Sequence, residues 1–240
     1  MSRENRWKDI WNKREDLLDS IDRNDSKSIF CELKRINGFD ITDGGIPYES
    51  LKMQYEEMKE DLCIQGGDSA FEVGCGAGAN LYLFQQDGIK IGGMDYSEKL
   101  IQILHKVFGN TDLQECLCGE AIECPTDVKY DAVFSNSVFS YFQDYAYAES
   151  VLEKMLDKSR RSIGLLDVHE DTKKEAFRAY RIKTVKDYEE RYKDLPKLFY
   201  PRSFFEDFAR QHNLEIFFRK SNIKGYWNND FVFHCYMRRR

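Results

Sequence analysis

From Asp68 onward, short apolar runs alternate along the chain with longer amphipathic stretches. Apolar runs of about four to eight residues bounded by turn signals indicate buried strands, and apolar positions about 3.6 residues apart indicate helices. Their alternation predicts a parallel sheet covered by helices on both faces. The predicted strands are the run ending at Val73 and residues 89–95, 112–117, 130–135, 162–168, 214–219 and 231–237, with intervening helices such as 97–108 and 144–156.

The first 65 residues carry helical spacing and no strand pattern, which predicts an N-terminal helical cap. Residues 38–47 between the two apolar stripes are rich in turn formers, and the second stripe ends at Gly66-Gly67. The two stripes are Trp7, Ile10, Trp11, Leu17, Leu18 and Ile21, and then Leu51, Tyr55, Met58 and Leu62.

The stretch from Phe71 to Asn80 predicts a buried strand, a glycine-rich turn and a helix in direct succession. Glycines 74, 76 and 78 allow a sharp turn and remove side chains that would keep a ligand from the helix N-terminus. A nucleotide-like cofactor is therefore expected at this turn.

Two cofactors fit this turn. The G-x-G-x-x-A pattern from Gly74 to Ala79, with Asp95 at the end of the next strand, satisfies the dinucleotide fingerprint of nicotinamide-dependent oxidoreductases. Glu72, together with Gly78 and the sequence Asp95-Tyr96-Ser97, instead resembles the class I S-adenosylmethionine-dependent methyltransferases. In that family the E-x-G-x-G-x-G loop holds the methionine end of the cofactor, and the acid after the second strand binds both ribose hydroxyls. The resemblance implies cofactor-binding roles for Glu72, Gly74, Cys75, Gly76, Gly78, Asp95 and Tyr96.

The resemblance extends from about residue 66 to the C-terminus. The segment Gly119-Glu120-Ala121 is similar to the family's loop beside the adenine, with glutamate in place of the usual aspartate. A carboxylate there would accept a hydrogen bond from the adenine amino group. The strand ending at Ser135 and Asn136 resembles the family's fourth strand, which implies that these two residues border the transferred methyl group.

Methyl transfer to an alcohol or phenol benefits from a general base, whereas a neutral amine can react without one. His169 is the first candidate, because it follows the fifth predicted strand at the rim where acceptors bind in this architecture and its ordinary pKa is near ~6.5. Asp167 is the alternative base, and Asn136 is a candidate for orienting the acceptor. His169 as a merely solvated rim histidine is the competing interpretation.

Aromatic and basic side chains in the cap and in the C-terminal half are candidates for acceptor binding. A guanidinium would bind a carboxylate or phosphate on the acceptor, and an aromatic wall would bind a ring or a methylated cation. Core packing is the competing interpretation for Phe139 and Tyr141. The candidates are Tyr48, Tyr55, Phe139, Tyr141, Arg178, Arg181, Tyr200 and Trp227.

Composition limits the class of partner. The net charge is −6, from 36 basic and 42 acidic residues, which argues against a dedicated nucleic-acid binder, although residues 173–202 carry ten basic and five acidic side chains. No apolar run approaches the ~18 residues of a membrane span. Seven cysteines without disulfide-like clustering or C-x-x-C metal spacing predict a reducing, cytoplasmic location and no metal site. The oligomeric state is left open.

The fold expected is a single α/β domain with a Rossmann-like, mostly parallel seven-stranded sheet, an antiparallel last strand and helices on both faces. Residues 1–65 form the cap, 66–169 the cofactor-binding core, 170–202 a helical insertion over the active site, and 203–240 the last helix and strand pair. The function expected is O- or N-methylation of a small-molecule acceptor from S-adenosylmethionine, with S-adenosylhomocysteine as product. The alternatives are an NAD(P)-dependent oxidoreductase and a non-catalytic protein that binds S-adenosylmethionine.

Overall fold

A seven-stranded sheet forms the centre of the molecule. The structure is a computed structural model that describes residues 6–39, 41, 45–109 and 113–240. Strand order is β3-β2-β1-β4-β5-β7-β6, and β7 runs antiparallel to both β5 and β6, while the other neighbours are parallel. The strands are β1 (Ser69–Val73), β2 (Lys90–Asp95), β3 (Leu113–Cys118), β4 (Tyr130–Asn136), β5 (Ser159–His169), β6 (Leu214–Lys220) and β7 (Val232–Arg239). The predicted fold class is confirmed.

Helices cover both faces of this sheet. Asp25, Ser97 and Asp144 cap the first turns of α2, α5 and α6, each accepting a hydrogen bond from a backbone N–H two or three residues further along the chain. The helices are α1 (Arg6–Trp11), α2 (Ser26–Ile36), α3 (Tyr48–Asp61), α4 (Ala79–Gln86), α5 (Glu98–Val107), α6 (Tyr145–Lys158), α7 (Lys174–Thr184), α8 (Tyr188–Arg191) and α9 (Arg202–Gln211). The predicted helices 97–108 and 144–156 correspond to α5 and α6.

The two faces of the sheet bury separate apolar clusters. One cluster packs α2, α3, α4 and α5 through residues such as Leu33, Leu51 and Leu104. The other packs α6 and α9 through residues such as Leu152 and Phe205. Because the cap helices belong to the first cluster, their apolar stripes are held against the sheet.

The cap differs from its predicted form at one end. The stripe from Leu51 to Leu62 is buried as predicted, but α1 ends at Trp11 instead of continuing to residue 21. The backbone N–H of Leu17 binds the Glu32 carboxylate at 2.6 Å, outside any helical hydrogen-bond pattern, and the Leu17 side chain is 52% exposed. The Glu32 side chain of α2 thus replaces the backbone carbonyl that would accept this hydrogen bond in a continuing helix.

Three further observations bear on the predicted boundaries. Strand β3 begins at Leu113, and residues 110–112, where that strand was predicted to start, lie outside the described residues. Part of the predicted turn at 38–47, namely residues 40 and 42–44, also lies outside them. No helix in the described part of the chain has the length and apolar composition needed to cross a membrane.

Candidate functional site

A deep pocket opens at the carboxyl ends of the central strands and is roofed by the N-terminal cap. This is the edge of a parallel sheet where ligands bind. The empty space between its walls is about 870 Å³, including the open mouth. The wall residues are Trp11, Lys34, Asn37, Phe39, Glu72, Gly74, Gly76, Asn80, Met94, Asp95, Tyr96, Leu100, Gly119, Glu120, Ala121, Asn136, Ser137, Val138, Tyr141 and Phe142.

The glycine loop after β1 requires glycine at the positions that face the pocket. Gly74 and Gly76 have φ of +75° and +56°, in the left-handed region that disfavours side chains. A Cβ on Gly74 would lie 2.3 Å from Val138 Cγ2, and one on Gly76 would lie 2.3 Å from Asn37 Oδ1. Backbone freedom and close approach thus both exclude larger residues here.

Cys75 and Gly78 shape this loop from behind. The Cys75 side chain is fully buried, and burial raises the pKa of its thiol well above the ordinary value. The N–H groups of Gly74 and Cys75 both donate to Met94 O, at 2.8 and 2.9 Å, which ties the loop to β2. Gly78 is the N-cap of α4, with φ of +85°. Neither Cys75 nor Gly78 forms part of the pocket wall.

Asp95 connects the glycine loop to the start of α5. One carboxylate oxygen accepts from Gly76 N at 2.9 Å and the other from Ser97 N at 2.8 Å. Burial raises the pKa of Asp95 to about 6, against the opposing effect of these two N–H groups. Tyr96, the next residue, also lines the pocket, and burial raises the pKa of its phenol. Asp95 therefore faces the pocket with its carboxylate held in place.

Glu72 and Lys34 are buried charges joined through Asn80. The Asn80 amide donates to Glu72 Oε1 at 2.6 Å and accepts from Lys34 Nζ at 2.9 Å. Burial raises the pKa of Glu72 and lowers the pKa of Lys34. Glu72 Oε2 is buried and makes no hydrogen bond within the described protein. A buried polar atom without a partner is costly, so Glu72 Oε2 is available to a ligand donor.

The predicted adenine-side loop also forms pocket wall. Gly119, Glu120 and Ala121 all line it, and Gly119 N donates to Asp95 O at 3.0 Å. The Glu120 side chain caps the short 3₁₀ helix that starts at Ala121 and accepts from Tyr147 OH at 3.2 Å. Its contact with an adenine amino group stays a prediction.

At the end of β4, the side chains that line the pocket differ from the predicted pair Ser135 and Asn136. Asn136 lines the pocket, but Ser135 is buried and donates its hydroxyl to Val73 O at 2.8 Å. Ser137 and Val138, the next two residues, complete the wall. The alternation of side chains along a strand explains why Ser135 points to the sheet interior and Asn136 does not.

Asp167 lies beside this wall and gathers several polar groups. Its Oδ2 accepts from Ser137 Oγ at 2.9 Å and from Tyr226 OH at 2.7 Å, whereas its buried Oδ1 makes no hydrogen bond within the described protein. Ser137 and Asp167 both have left-handed φ, at +61° and +54°. Such conformations are costly for residues other than glycine and concentrate at functional sites. The predicted placement of Asp167 near the acceptor end is consistent with this geometry.

The predicted position of His169 on the rim is wrong. Its imidazole is 3% exposed and packs edge-on against Phe177 and Phe199, with ring centroids 4.9 and 5.2 Å away. Burial lowers its pKa well below the ordinary value, with a smaller effect from Lys197. An imidazole enclosed by aromatic rings and absent from the pocket wall has no route to an acceptor proton.

The structure also places several predicted acceptor-binding residues elsewhere. Tyr55 is buried under α4, where its hydroxyl donates to Asp87 and Leu83 O, and Tyr48 lines a shallow groove along α3 instead of the pocket. Tyr55 thus holds α3 to α4, whereas the Tyr48 ring packs against Phe30 within the cap. Phe139 and Tyr200 are likewise core residues, joined by a 2.8 Å hydrogen bond from Tyr200 OH to Phe139 O.

Tyr141, Arg181 and Trp227 remain near the site. Tyr141 lines the pocket, and the Arg181 guanidinium lies 4.6 Å from the Trp227 ring centroid. Burial raises the pKa of Tyr141 to about 12, and Arg181 opposes this rise electrostatically, which places the two within interaction range. Arg178 is exposed and pairs with Glu189 on the outer surface, away from the pocket wall.

Several cap residues complete the pocket without having been predicted to do so. Asn37 accepts from Ala77 N at 2.8 Å and donates to Cys75 O at 3.3 Å, so it binds both sides of the glycine loop. Trp11, Lys34 and Phe39 join it in the wall. In the sequence Lys34 and Asn37 stand beside the equally polar Glu32 and Arg35, so no local signal marks them as pocket residues.

The residues present fit S-adenosylmethionine. Glycines 74 and 76 leave room for a ligand against the loop, Asp95 offers a fixed carboxylate for hydroxyl groups, and Glu72 Oε2 offers an unused acceptor for an ammonium. No group of three or more possible metal ligands occurs within the described ranges.

Comparisons with known proteins agree with this site. Residues 71–160 match the family described as methyltransferase domain. Among solved structures, the chain is similar to magnesium protoporphyrin IX methyltransferase from Synechocystis PCC 6803 with bound S-adenosylmethionine, at 14% identity over 90% of this chain and 98% of that one, with a TM-score of 0.59. The plantazolicin methyltransferase BpumL with bound S-adenosylhomocysteine is 16% identical over 80% of this chain and 90% of its own, with a TM-score of 0.55.

A third similar structure is the N-methyltransferase NodS from Bradyrhizobium japonicum WM9, at 10% identity over 79% of this chain and 96% of that one, with a TM-score of 0.56. No protein of curated function matches the chain in sequence. The match to the methyltransferase domain spans the glycine loop, Asp95 and the end of β4. Residues 71–160 therefore match a methyltransferase domain, and the chain shares its fold with solved methyltransferases that hold S-adenosylmethionine or S-adenosylhomocysteine, the cofactor pair that the site fits.

Proposed function

We propose that the enzyme transfers a methyl group from S-adenosylmethionine to an oxygen or nitrogen of a small-molecule acceptor by direct in-line displacement. The observation that carries this proposal is the pair Ser137 and Asp167, two polar residues in left-handed backbone beside Asn136 at the pocket wall. Backbone strain held at one side of a cofactor pocket favours a reaction site over a purely structural role.

When bound, S-adenosylmethionine supplies an electrophilic methyl group on its sulfonium. The protein's part is to align the acceptor with that methyl and to exclude water. Asn136 is in the wall and can orient an acceptor hydroxyl or amine by hydrogen bonding. The cap residues Trp11 and Phe39 close the same space with apolar surface.

A proton lost from the acceptor has a path to Asp167. The Ser137 hydroxyl faces the pocket and donates to Asp167 Oδ2 at 2.9 Å. The acceptor proton would pass to Ser137 Oγ as the serine proton passes to Asp167, so one proton leaves the acceptor and one arrives on the carboxylate. Tyr226, which donates to the same oxygen at 2.7 Å, holds the carboxylate in position.

A small acceptor is supported by the enclosure of the pocket. The cap contributes Trp11, Lys34, Asn37 and Phe39 to the wall, and Lys197 of the predicted 170–202 insertion lies against the wall residue Tyr141. The formal charge of −6 gives no broad positive field for a nucleic acid. Two similar structures are named for magnesium protoporphyrin IX and plantazolicin as acceptors.

The test is transfer of tritium from methyl-labelled S-adenosylmethionine into fractions of a cell extract separated by size. We expect label in the small-molecule fraction with the wild type and none with Asp95→Ala as the cofactor-site control. Label confined to protein or nucleic acid would contradict a small acceptor. Tight binding of S-adenosylhomocysteine with no transfer to any fraction would favour the non-catalytic alternative.

With the acceptor in hand, Asp167→Asn tests the proton path. Asparagine keeps the shape and an accepting oxygen but not the basicity, so kcat should fall by roughly 10²–10⁴, the usual range for a general base. The dissociation constant for S-adenosylhomocysteine should change less than about threefold. An unchanged kcat would exclude Asp167 as the base. A fall in both kcat and the affinity for S-adenosylhomocysteine would show that Asp167 has a structural role.

A further inference from the structure

Behind Tyr141, which lines the pocket, lie three cations, Lys197, Arg181 and Arg14, that form no ion pair with the described residues. The Lys197 ammonium lies 4.4 Å from the Tyr141 ring centroid and 5.6 Å from the Trp7 ring centroid. Among the described residues its one hydrogen-bond contact is the Ser140 hydroxyl, at the long distance of 3.5 Å. No carboxylate of the described residues lies within 4 Å of it. An ammonium has three donors, so most of its capacity is unused.

Two arginines approach the same tyrosine. Burial raises the pKa of Tyr141 to about 12, and Tyr192 and Asp167 add to this effect, whereas Arg14 and Arg181 oppose it. Arg14 is partly buried over the Trp11 ring at 5.0 Å, and its Nε is buried without a hydrogen-bond partner among the residues that the structure describes. Three cations thus act on Tyr141, and among the described residues Asp167 is the carboxylate that opposes them.

Asp167 does not satisfy these cations. Both hydrogen bonds to its Oδ2 come from the neutral hydroxyls of Ser137 and Tyr226. Burial, together with the charge of Arg181 and against that of Asp167, lowers the pKa of Lys197 to about 7. An incoming anion would relieve the repulsion between Lys197 and Arg181 and would accept the free donor hydrogens.

The surface around these cations is aromatic, and Trp11, Tyr141 and Phe142 continue it into the pocket wall. Trp7 packs edge-on against Tyr141 at 4.7 Å, and Trp227 lies beneath the Arg181 guanidinium at 4.6 Å. Aromatic walls of this kind bind planar molecules by stacking. The combination selects for a planar body that carries a negative group.

We infer that the acceptor is a planar small molecule with a carboxylate, and that Lys197 and Arg181 bind this carboxylate beside Tyr141. The inference rests on the proposed methyl transfer to a small acceptor and adds the chemical class of that acceptor. Carboxylate binding at this point would leave the rest of the molecule directed along Tyr141 toward Asn136 and Ser137 in the pocket wall.

The experiment measures binding of matched pairs to protein saturated with S-adenosylhomocysteine, in a chloride buffer free of phosphate. The pairs are benzoate and benzamide, phenylacetate and phenylacetamide, and indole-3-carboxylate and indole-3-carboxamide. Binding of each compound is measured by thermal shift and by calorimetry. We expect at least one carboxylate to bind at least tenfold more tightly than its amide. Carboxylates that all fail to bind, or that bind no better than their amides, overturn the inference.

Variants assign the contact to the named residues. Lys197→Gln and Arg181→Gln should each weaken the carboxylate at least tenfold, Lys197→Arg should restore most of the affinity, and Lys193→Gln, an exposed lysine of the same segment, should have no effect. If Lys197→Gln weakens S-adenosylhomocysteine by the same factor, the ammonium serves the cofactor's own carboxylate and the inference is wrong.

The two proposals fail separately. Labelled methyl in the small-molecule fraction together with equal binding of carboxylates and amides would remove the carboxylate inference and leave the proposed function standing. Carboxylate binding without any methyl transfer to small molecules would instead remove the proposed function and leave a carboxylate-binding site at Lys197 and Arg181.

Discussion

The cofactor half of the pocket and its proposed acceptor half are built in opposite ways. The cofactor half consists of two short turns, Gly74–Gly78 and Asp95–Ser97, whose backbone N–H groups and carboxylate bind one another. The acceptor half is assembled from side chains of separate segments, including Tyr141, Asp167 and Lys197. One half is therefore defined by local backbone geometry and the other by tertiary packing.

This contrast explains why the cofactor half can be predicted from the sequence and the other half cannot. A turn that demands left-handed φ leaves glycine at fixed spacing in the sequence. Side chains that meet only after folding leave no such spacing. We expect the cofactor half to tolerate very few substitutions, and the acceptor half to tolerate many that change specificity without loss of fold.

The sharpest test of the cofactor half is Gly74→Ala. The new Cβ would meet Val138 Cγ2 at 2.3 Å in left-handed backbone, so affinity for S-adenosylhomocysteine should fall at least ~100-fold, about 2.7 kcal/mol. Gly88→Ala is the matched control, because Gly88 has a similar φ of +72° but open space around it. Calorimetry on both proteins, and on Gly74→Ala combined with Val138→Ala, separates the clash from the strain. Equal affinities for Gly74→Ala and the wild type would refute a close-approach role.

Asp95 gives a pH test of the same half. Its pKa is raised to about 6, so the carboxylate is ionised above that pH and becomes protonated below it. If the ionised form binds the ribose hydroxyls, affinity for S-adenosylhomocysteine should be constant from pH 7 to 8 and fall by up to tenfold per unit below about pH 6. Asp95→Asn should bind at least tenfold more weakly at pH 7.5 and lose most of this slope. A wild-type profile that is flat down to pH 5 would exclude the carboxylate as the ribose ligand.

His169 provides the smallest expected effect, on stability and not on binding. The pKa of His169 in the folded protein lies well below its ordinary value of 6.5. At a pH between these two pKa values, the unfolded chain binds a proton at His169 and the folded protein does not. The contribution of neutral His169 to the free energy of unfolding is fully present above about pH 6.5. It decreases as the pH falls, by at most about 1.4 kcal/mol per pH unit. Urea unfolding at pH 7.5 and 5.5 should show a smaller acid loss for His169→Leu than for the wild type. His234, also buried with a lowered pKa, is common to both proteins and cancels in the comparison.

The sheet and the glycine loop could be predicted from sequence because their signals are local. The apolar runs gave the strands to within a few residues, and Glu72, Gly74, Gly76 and Asp95 all lie at the pocket as expected. Lys34 and Asn37 were missed, since nothing in an amphipathic helix shows which loop its end will contact.

The error over His169 has a specific cause in β5. Leu165 and Val168 pair with Cys235 and Phe233 of β7, so β5 carries one extra residue between them. This bulge contains Asp167 in left-handed backbone. An extra residue shifts the side-chain alternation by one, so the side chains that follow change faces. Asp167 is thereby held at Ser137 while His169 points into aromatic core, which no count of residues along the strand could show.

Asn37 has a consequence for the rate at which the cofactor enters and leaves. Its single amide group bridges the cap to both sides of the glycine loop, and Asn12 accepts from the Ser97 hydroxyl at 2.7 Å on the other cofactor loop. The cap is thus fastened to the two turns that a cofactor must pass. We expect the residence time of S-adenosylhomocysteine to be set by how often these amide contacts open, so that product departure, and with it the turnover rate, depends on a segment that takes no part in the chemistry.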